Sequence, residues 1–584
     1  MCIRDRFYYE HDNLTGLSAI AVKRTQELPR SKIPDSEWPR FLEATIKEWE
    51  AILSTPAVTI ISPEAAKHVH RCTPDRVIPS RHVYREKPGE GVGSCSIAKA
   101  RWCVQGFHDP DLLDLERAAP TPQTSSIMLF LLVAASLQRE VSFGDVKSAF
   151  MQGDTKHGDR PGGKLYATLP PGGIPLRDGT WVPEGSLIQL NSAVYGLVNA
   201  PAAWRKSIVA ALEDLDYRRS CYCPCTFVDM TKDGPNGHVL LEVDDLASHG
   251  NAIHDKKMAK LRERFKFGKW TSIYGSESDY AGRTIMQLKD YSCKVHMAKF
   301  IKERLRPIHI PRGRKSNKTV PTTTTEKSQL RAVWGSVNWV QRESRPDASA
   351  RGSIGMSRIN DSTVQDLCDA NECVAILQKD PYLGIVLPHI PPSKLRWATI
   401  QDASWANAQE DRSQGAFLVG ATTLDLWKNR AAPFALISHK SHALPRKAPS
   451  TLSAEAQSMS EALAEVEWIR GMYEELTHPY FNIKEWSSRT RHRGLLVASR
   501  TKDPDRELQQ LLTICDAKSL YDHSSKESSG PAADRRTAID VQIIRSSLDG
   551  QDGQVRWVDH SGMYADAMTK KNGNTPLLQI LMRT

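Results

Sequence analysis

The spacing of apolar residues along the chain predicts both helices and strands. In "WPRFLEATIKEWEAIL" (38–53), Phe41, Trp49 and Ile52 recur near helical spacing with polar residues between them, which predicts an amphipathic helix. The run "SIMLFLLVAASL" (126–137) is almost entirely apolar, which predicts a helix that is buried all round. That run is too short to span a bilayer.

Other segments predict strands that carry polar chemistry. "KARWCVQGF" (99–107) predicts a strand with basic residues, and "EVSFGDVKSAF" (140–150) predicts a strand that runs into a helix. In "GHVLLEVDDLASHG" (237–250), an apolar strand between two glycines ends at the adjacent Asp244 and Asp245. A solvated turn is the ordinary interpretation of such a pair, because buried carboxylates are costly unless they are paired or bind metal.

Length and local composition predict several structural units. A chain of 584 residues favours about three or four units. The Gly/Pro-rich interval 160–185 predicts loops and short hairpins, and the apolar-poor interval 311–327 predicts a linker. No internal repeat is evident, and a second compact unit is predicted from about Lys394.

The overall composition is that of a globular protein with a basic balance. The hydrophobic fraction is 40% and the charged fraction 25%, which argues against wholesale disorder. The formal charge of +10 is compatible with a polyanionic partner without proving one. Eleven scattered cysteines favour reduced thiols in an intracellular setting, and the first residues show no secretory signal. Cys221, Cys223 and Cys225 invite a zinc hypothesis, but they lack a second ligand pair at finger-like spacing.

A first set of carboxylates consists of Asp145, Asp244 and Asp245. If the intervening elements bring them together, they predict a site for two divalent cations, as in-line phosphoryl transfer requires. One ion lowers the pKa of an attacking 3′-hydroxyl, and the other neutralises the leaving pyrophosphate. Ligands that are all oxygen favour Mg²⁺ over zinc, with Mn²⁺ as an alternative.

A second set lies near the C-terminus. Asp402 ends an apolar strand, Glu455 lies in a long amphipathic helix for which Ser453 is the predicted cap, Asp516 follows the strand "LLTIC", and Asp566 comes late in the chain. Four such carboxylates can bind two divalent cations with little help from other side chains.

Two nearby residues are weighed against this second set. His560 is assigned to an ordinary polar loop in preference to a role in proton transfer or product release. Glu461, six residues after Glu455, is predicted to be a helix-face charge and not a ligand.

A series of motifs in a fixed order resembles one known family. The chain is similar to the reverse transcriptases of Copia-type long-terminal-repeat retrotransposons over about residues 38–360. The matching stretches are "WPRFLEATIKEWEAIL", "KARWCVQGF", "DVKSAFMQGD", "LNSAVYGLVNAPAAW", "SCYCPCTFV", "LLEVDDLASHG" and "WGSVNWVQRESRPD". The later blocks "SHKSHAL", "STLSAEA", "CDAKSLYD" and "RRTAIDVQIIR" resemble the ribonuclease H domain that follows this polymerase in the family.

The resemblance implies a multidomain fold of the α+β and α/β classes. A fingers–palm–thumb polymerase with a ferredoxin-like palm is expected first, and a ribonuclease H-like domain with a mixed sheet after it. The expected units are an N-terminal linker or remnant (1–37), fingers and palm (38–300), thumb and connection with a basic linker (301–393) and the ribonuclease H-like domain (394–575).

The resemblance also implies roles for particular residues. Asp145, Asp244 and Asp245 match the catalytic, metal-binding acids of the palm, and Lys99 and Arg101 match basic residues near the incoming triphosphate. Phe150 matches an aromatic ring against the nucleotide sugar, and Gly196 matches a close backbone approach to the template–primer. The alternatives are a solvated strand face for Lys99 and Arg101, plain core for Phe150 and a turn for Gly196. In the ribonuclease H-like domain, the implied catalytic and metal-binding residues are Asp402, Glu455, Asp516 and Asp566.

The implied function is RNA-directed DNA synthesis coupled to ribonuclease H. The expected cofactor is Mg²⁺, two ions at each site. The expected partners are an RNA template, a DNA primer, dNTPs, RNA–DNA hybrid and other retroelement proteins, with no membrane partner. An intracellular, cytoplasmic location in virus-like particles is expected, with nuclear entry as a further expectation. No protease or integrase core and no zinc knuckle is recognisable, so the chain is expected to be the C-terminal part of a larger polyprotein.

The sequence also departs from the family pattern. Glu242 stands where an aromatic residue usually precedes Val-Asp-Asp, and a regular strand would place it on the same face as Asp244 and increase repulsion there. Ala454 and Gln457 replace the commoner Thr and Glu around Glu455. Two alternatives therefore stay open: an inactive relic that only binds nucleic acid or assembles with other proteins, and a hybrid-specific nuclease with a polymerase half that is only scaffold.

Overall fold

The computed structural model describes residues 27–87, 96–154, 160, 162–486, 511–526, 532 and 534–583. Residues 1–26, most of the predicted N-terminal remnant, lie outside the described residues. Within the described part, Leu28 forms a bridge with Tyr84, and Ile33 packs beside Phe41. Residues 27–37 therefore pack against the unit that follows them.

The N-terminal region alternates short strands and helices. In chain order these are α1 Trp38–Leu53, β1 Val58–Ile61, α2 Pro63–Cys72, β2 Val77–Ile78, β3 Ser80–Lys87, β4 Ile97–Val104, α3 Thr124–Ser136, β5 Ser142–Val146, β6 Leu165–Thr168, β7 Leu187–Leu190, α4 Ala200–Glu213, β8 Arg218–Arg219, β9 Thr226–Thr231, β10 Gly234–Glu242, β11 Asp245–Gly250, α5 Ala252–Arg264 and β12 Phe267–Ser272. The helices predicted at α1 and α3 and the strands predicted at β4 and β5 are confirmed.

Three sheets divide these strands into fingers and palm. The fingers contain a four-stranded sheet in the order β1-β7-β6-β2 and the antiparallel hairpin β3-β4. The palm is a six-stranded sheet in the order β12-β5-β11-β10-β9-β8. In its centre, the β10-β11 hairpin lies antiparallel to β5, which brings the segment around Asp145 beside the Asp-Asp turn.

The two faces of the palm sheet have different partners. On one face, Leu241 and Leu246 pack in a core with Trp204 of α4 and Met258 of α5. On the other, Phe143 and neighbouring side chains join a core that contains α3 and extends into the C-terminal sheet. Helix α3 is buried on every side because it lies between these layers.

A connecting region links the palm to the C-terminal unit. Its elements are β13 Glu277–Tyr280, β14 Arg283–Gln287, β15 Cys293–His296, α6 Ala298–Arg304, α7 Arg312–Lys315, α8 Thr324–Glu343, α9 Ser349–Ser357, α10 Val364–Lys379 and β16 Gly384–Leu387. The strands form one antiparallel sheet in the order β13-β14-β15-β16. The unit limit predicted at residue 300 remains a prediction, although β15 and β16 pair across it.

The linker predicted at 311–327 is wrong as a description of this segment. Arg314 forms an ion pair with Glu326 at 2.6 Å, and the Thr322 amide donates to the Ser362 carbonyl at 3.0 Å. Thr323 and Glu326 form a reciprocal capping box that begins α8. The low apolar content hid a segment that is ordered by capping and charge and not by burial.

The C-terminal unit is built on a mixed sheet. Its elements are β17 Arg396–Ser404, β18 Gln414–Thr422, β19 Ala435–Ala443, α11 Thr451–Thr477, β20 Leu511–Cys515, α12 Lys518–Ser525, α13 Arg535–Gly550, β21 Gly553–Trp557, α14 Asp566–Thr569 and α15 Thr575–Arg583. The strand order is β19-β18-β17-β20-β21, antiparallel across β17–β19 and parallel from β17 through β20 to β21. Helix α15 lies beyond the predicted limit at 575, which remains a prediction.

The long helix α11 packs its apolar face on this sheet and begins one turn earlier than expected. Ser450, not Ser453, is its N-cap, because the Ser450 hydroxyl accepts from the Ser453 amide. Ser453 itself is buried within the first turn.

The expected fold class is confirmed: a polymerase-like fingers and palm region precedes a ribonuclease H-like mixed sheet. Among the described residues, no helix combines the length and apolar content needed to cross a bilayer.

Candidate active sites

The palm aspartates meet at one edge of the palm sheet. Asp145 of β5 pairs with Asp245 of β11, and Asp245 pairs with Glu242 of β10. Cross-strand partners project to the same side of a sheet, so these three side chains form one row. Asp145 is exposed, and Asp244, Asp245 and Glu242 are half-buried.

The turn that carries Asp244 is fixed by its backbone. Val243 adopts a left-handed conformation with φ of 55°, so strand alternation stops at Glu242. A regular strand that continued to Asp244 would place Glu242 and Asp244 on the same face, but the strand ends at Glu242. The Val243 carbonyl accepts from Trp204 Nε1 at 2.6 Å, and the Asp244 carbonyl accepts from the Val146 amide at 3.0 Å. These two bonds hold the turn against α4 and β5.

An aromatic and basic group lies next to this turn. The Phe150 and Tyr195 ring centroids are 5.2 Å apart, and the Arg101 guanidinium lies 5.1 Å from the Tyr195 ring centroid. Burial raises the pKa of Tyr195 to about 12, with the Asp244 charge also raising it and Arg101 opposing. Phe150 is buried, and Arg101 is exposed. Sequence reasoning missed Tyr195, for which the only signal is an aromatic residue beside Gly196 in "VYGL".

The basic residues of β4 also influence an acid of α1. The Trp102 amide donates to Glu48 Oε1 at 3.4 Å. Burial raises the pKa of Glu48, whereas the charges of Arg101 and Lys99 lower it. Lys99 and Arg101 thus share the fingers with a half-buried acid.

Gly196 is required by contact with the fingers. Its φ is 99°, and a Cβ placed on it would lie 2.0 Å from the Val104 carbonyl oxygen. The Val104 amide donates to the Tyr195 carbonyl at 2.9 Å. The close approach that this glycine permits in the structure is therefore to strand β4.

Three of the C-terminal acids converge. Asp402 lies near the end of β17, Asp516 follows the parallel neighbour β20, and Glu455 lies on α11. Parallel strands end at the same edge of a sheet, which places the two aspartates side by side. Asp402, Glu455 and Asp516 offer carboxylate oxygens that all lie within 4.8 Å of one another. Among the described residues, no other group of three His, Cys, Asp or Glu side chains meets that spacing. The three palm aspartates therefore do not meet it either.

Burial dominates the electrostatics of this set. Asp402 is 2% exposed, and burial raises its pKa to about 6, with help from Asp516 and Asp566 and against a hydrogen bond from Thr569. Burial also raises the pKa of Glu455 well above its usual value, and Asp402 and Asp516 raise it further. Such shifts express the cost of gathering negative charge away from water.

The oxygen atoms of Glu455 show that the set fits a cation. Glu455 Oε1 accepts from the Ala403 amide at 3.2 Å. Glu455 Oε2 is buried and has no hydrogen-bond partner within the described part of the chain. An unsatisfied buried carboxylate oxygen among other carboxylates suits a hard divalent cation such as Mg²⁺.

Asp566 lies beside this group but has other partners. Its Oδ1 contacts Lys570 Nζ, and its Oδ2 accepts from the Asn574 amide at 3.1 Å. His560 bridges two acids: its Nδ1 lies 2.9 Å from Asp516 Oδ2 and its Nε2 lies 3.5 Å from Asp566 Oδ1. The hydrogen bond with Asp516 raises the pKa of His560. His560 therefore contacts two of the predicted site acids, whereas its assignment to an ordinary polar loop remains a prediction.

Two remaining predictions concern residues outside these sites. Glu461 contacts Lys440 and His442 and not the acids, as expected for a helix-face charge. Cys223 and Cys225 are buried in the palm core, and Cys221 is exposed. The structure gives the zinc hypothesis no support, because the described cysteines do not belong to a group of three close ligands.

Comparisons with known proteins support the resemblance to reverse transcriptases. A family model described as "Reverse transcriptase (RNA-dependent DNA polymerase)" matches residues 64–323. The retrovirus-related Pol polyprotein from transposon TNT 1-94 of Nicotiana tabacum is 23% identical over 346 residues, which cover 56% of this chain and 24% of the relative. The Pol polyprotein from transposon RE1 of Arabidopsis thaliana is 23% identical over 472 residues, 78% of this chain and 30% of the relative. Residues 64–323 thus match the reverse transcriptase family, and the relatives support the resemblance to Copia-type reverse transcriptases.

The chain spans 24% of the length of the TNT 1-94 polyprotein and 30% of the length of the RE1 polyprotein. The family match includes the palm aspartates and ends before the C-terminal acids. Among solved structures, it is similar to the foamy viral protease-reverse transcriptase in complex with double-stranded DNA, at 12% identity and a TM-score of 0.44, over 82% of this chain and 65% of that one.

Proposed function

We propose that the chain is an RNA-directed DNA polymerase with ribonuclease H activity that copies retrotransposon RNA into DNA. The polymerase assignment rests on one observation: Asp145 pairs with Asp245 beside the Asp244 turn, within the span that matches the reverse transcriptase family. Its substrates are an RNA template, a DNA primer and dNTPs.

The palm residues have distinct roles in this proposal. Asp145, Asp244 and Asp245 would hold Mg²⁺, which would supply the positive charge that lowers the pKa of the primer 3′-hydroxyl and neutralises the leaving pyrophosphate. Arg101 and Lys99 bind the triphosphate, for which a guanidinium offers paired donors. Phe150, fixed against Tyr195, excludes a ribose 2′-hydroxyl, and Gly196 keeps the fingers close to the palm.

The ribonuclease H assignment rests on the convergence of Asp402, Glu455 and Asp516 at the edge of the mixed sheet. These acids, with Asp566, would hold Mg²⁺, which would supply the charge to activate water and to stabilise the departing 3′-oxyanion. His560, between Asp516 and Asp566, accepts or returns a proton at the exposed side of the site. The substrate is the RNA strand of an RNA–DNA hybrid, recognised by shape and 2′-hydroxyls.

The cellular setting follows from this function. As part of a retrotransposon polyprotein, the chain would act with other retroelement proteins in cytoplasmic virus-like particles and enter the nucleus with its DNA product. The limits 38–300, 301–393 and 394–575 would then separate fingers and palm, thumb and connection, and nuclease.

A reciprocal mutational assay tests both activities. With an RNA template, DNA primer and Mg²⁺, Asp244→Asn is expected to abolish dNTP incorporation and spare hybrid cleavage, and Glu455→Gln is expected to do the reverse. The exposed Asp233 and the helix-face Glu461 provide matched controls, Asp233→Asn and Glu461→Gln, which should leave both activities intact. Absence of incorporation by folded wild-type protein would contradict the polymerase, and loss of both activities in either single variant would contradict two independent sites.

One observation favours a second candidate, an inactive relic that only binds nucleic acid. Glu242 adds a third acid to the row formed by Asp145 and Asp245. Like charges side by side raise the cost of keeping all of them ionised. A pure binder would show salt-dependent affinity for nucleic acid and no Mg²⁺-dependent turnover, so a Mg²⁺ titration separates the two functions.

A further inference from the structure

The fourth acid of the C-terminal set differs from the other three in its partners. Asp402, Glu455 and Asp516 present oxygens to one another within 4.8 Å, whereas Asp566 is outside that group. Both oxygens of Asp566 are engaged, Oδ1 by Lys570 Nζ and Oδ2 by the Asn574 amide at 3.1 Å. The Asp566 carboxylate therefore already forms an ion pair with the ammonium group of Lys570.

The position of Lys570 allows it to leave this contact. It follows the single-turn helix α14, four residues after Asp566. Its side chain is 40% exposed, whereas that of Asp566 is 8% exposed. The ammonium can therefore move into water without disturbing the core, while the carboxylate stays in place.

The same segment is tied to the metal-fitting acids. The Thr569 hydroxyl, between these residues, contacts Asp402 Oδ2 and lies 3.2 Å from the Asp566 carbonyl oxygen. Asp566 is thus held at the border of the acid set by neighbours that also touch the set. Its Oδ1 is held by the ammonium of Lys570, and His560 Nε2 lies farther away, at 3.5 Å from the same oxygen.

We propose that Lys570 is a positioning residue whose ammonium is the resident counter-ion of Asp566 and competes with divalent cations for that carboxylate. This inference rests on the ribonuclease H function proposed above. Asp402, Glu455 and Asp516 then form the part of the site that is ready for a cation, and Asp566 becomes available only when Lys570 withdraws. A phosphate of the bound hybrid strand attracts the released ammonium, so substrate binding and completion of the site are coupled.

The adjacent lysine provides a matched control. Lys571 has a similar exposure of 32%, but its Nζ lies 2.6 Å from Asp369 Oδ2 in the connecting region. Removing the charge of Lys571 changes the net charge of the protein by the same amount and leaves the partners of Asp566 in place. A long-range charge effect would appear in both variants, whereas competition for Asp566 would appear only in the Lys570 variant.

The test is Mn²⁺ binding to the full chain without nucleic acid, followed by the electron paramagnetic resonance signal of free Mn²⁺. Lys570→Met is expected to bind Mn²⁺ on the order of 10-fold more tightly at the C-terminal acids, because a cation next to the site is removed. Lys570→Arg, which keeps the charge, and Lys571→Met should bind as the wild type does. Adding Asp566→Asn to Lys570→Met should remove the gain. Ion binding by the palm acids is common to all these variants and cancels in the comparison.

Each outcome decides the proposal. Unchanged binding by Lys570→Met, an equal gain in Lys571→Met, or a gain that survives Asp566→Asn would overturn it. Should Lys570→Met fail to fold, as judged by circular dichroism, Lys570→Gln makes the same test with a polar side chain. If the C-terminal acids are not a metal site at all, Glu455→Gln will leave Mn²⁺ binding unchanged, a result distinct from an error about Lys570 alone.

Discussion

The palm carboxylates lie exposed or half-buried at the strand ends of their sheet, whereas most of the C-terminal carboxylates are buried. Asp145 is exposed and its neighbours are half-buried, but Asp402 and Glu455 are both buried. The palm set is spread over a cross-strand row and a turn. The C-terminal set combines two parallel strand ends and a helix, and its oxygens converge within 4.8 Å.

This difference shows that the surroundings of a carboxylate set determine its protonation and solvation before any ion is bound. In the C-terminal unit, the fold bears the cost of gathering acids before any cation arrives, as the raised pKa values of Asp402 and Glu455 show. In the palm, water solvates Asp145, and the fingers supply the cationic Arg101 nearby. We therefore expect disturbances of the fingers to affect polymerisation alone.

The largest expected difference between the two activities comes from a change at the contact between fingers and palm. Gly196→Ala would force a Cβ to within 2.0 Å of the Val104 carbonyl oxygen. Gly196 directly follows Tyr195, whose ring packs against Phe150. Because a shift of Gly196 would displace both rings, dNTP incorporation should fall on the order of 100-fold while hybrid cleavage persists. Gly179→Ala is the control, since Gly179 also has a positive φ, 83°, but open space around it. Equal loss of both activities would show that the two sites are not independent.

The contact between palm and C-terminal unit gives a pH-dependent effect. His238 of β10 is fully buried and donates from Nε2 to the Leu476 carbonyl of α11 at 2.7 Å. Burial lowers the pKa of His238 to about 3, and Arg139 and His254 lower it further. His249 packs against it with ring centroids 4.7 Å apart and has a pKa well below its usual value.

The sign of this effect follows from proton uptake on unfolding. The unfolded chain binds protons that the folded histidine does not, so stability is present above pH 6.5 and is lost as the pH falls from 6.5 toward 3. At pH 5, the lowered pKa of His238 should decrease the free energy of unfolding by about 2 kcal/mol. Urea titrations at pH 7.5 and pH 5 measure it, and His238→Gln, which keeps a donor to Leu476, should reduce the difference. An equal pH dependence in His238→Gln would contradict this assignment.

A smaller effect is expected from the ring of Phe150. Phe150→Val removes the ring edge that is fixed against Tyr195, so a ribonucleotide 2′-hydroxyl meets less steric hindrance. Incorporation of rNTPs relative to dNTPs should increase about 10-fold. Single-nucleotide extension with each substrate measures this ratio. Hybrid cleavage by the same protein is the internal control, and an unchanged ratio would assign Phe150 to the core alone.

The smallest effect concerns the added acid of the palm row. Glu242→Gln removes one charge beside Asp245 without changing the side-chain length. The Mg²⁺ concentration for half-maximal polymerisation should change about 2- to 5-fold, as expected for a partly solvated charge interaction. A Mg²⁺ titration of primer extension shows the change, and the same titration of hybrid cleavage should not respond. A response in cleavage would mean that Glu242 acts through stability.

The sequence was sufficient for features that depend on local pattern. The all-round apolar character of α3, the strand before Asp145 and the Asp-Asp hairpin follow from residue periodicity, and ordered motifs indicated which acids belong together. Contacts between distant segments were not accessible in this way. The bridge that His560 makes between Asp516 and Asp566 joins the end of β20 to the loop after β21. Likewise, the order of 311–327 depends on Ser362, forty residues away from Thr322.

Helix α3 has consequences for dissecting the protein. It has no polar face, and the C-terminal sheet and α11 cover the side that the palm leaves open. A fragment that ends before β17 would expose the apolar surface of α3 to water. Such a fragment should aggregate or need detergent. For the same reason, the distance between the palm acids and the C-terminal acids should be fixed, because the two halves share one hydrophobic core.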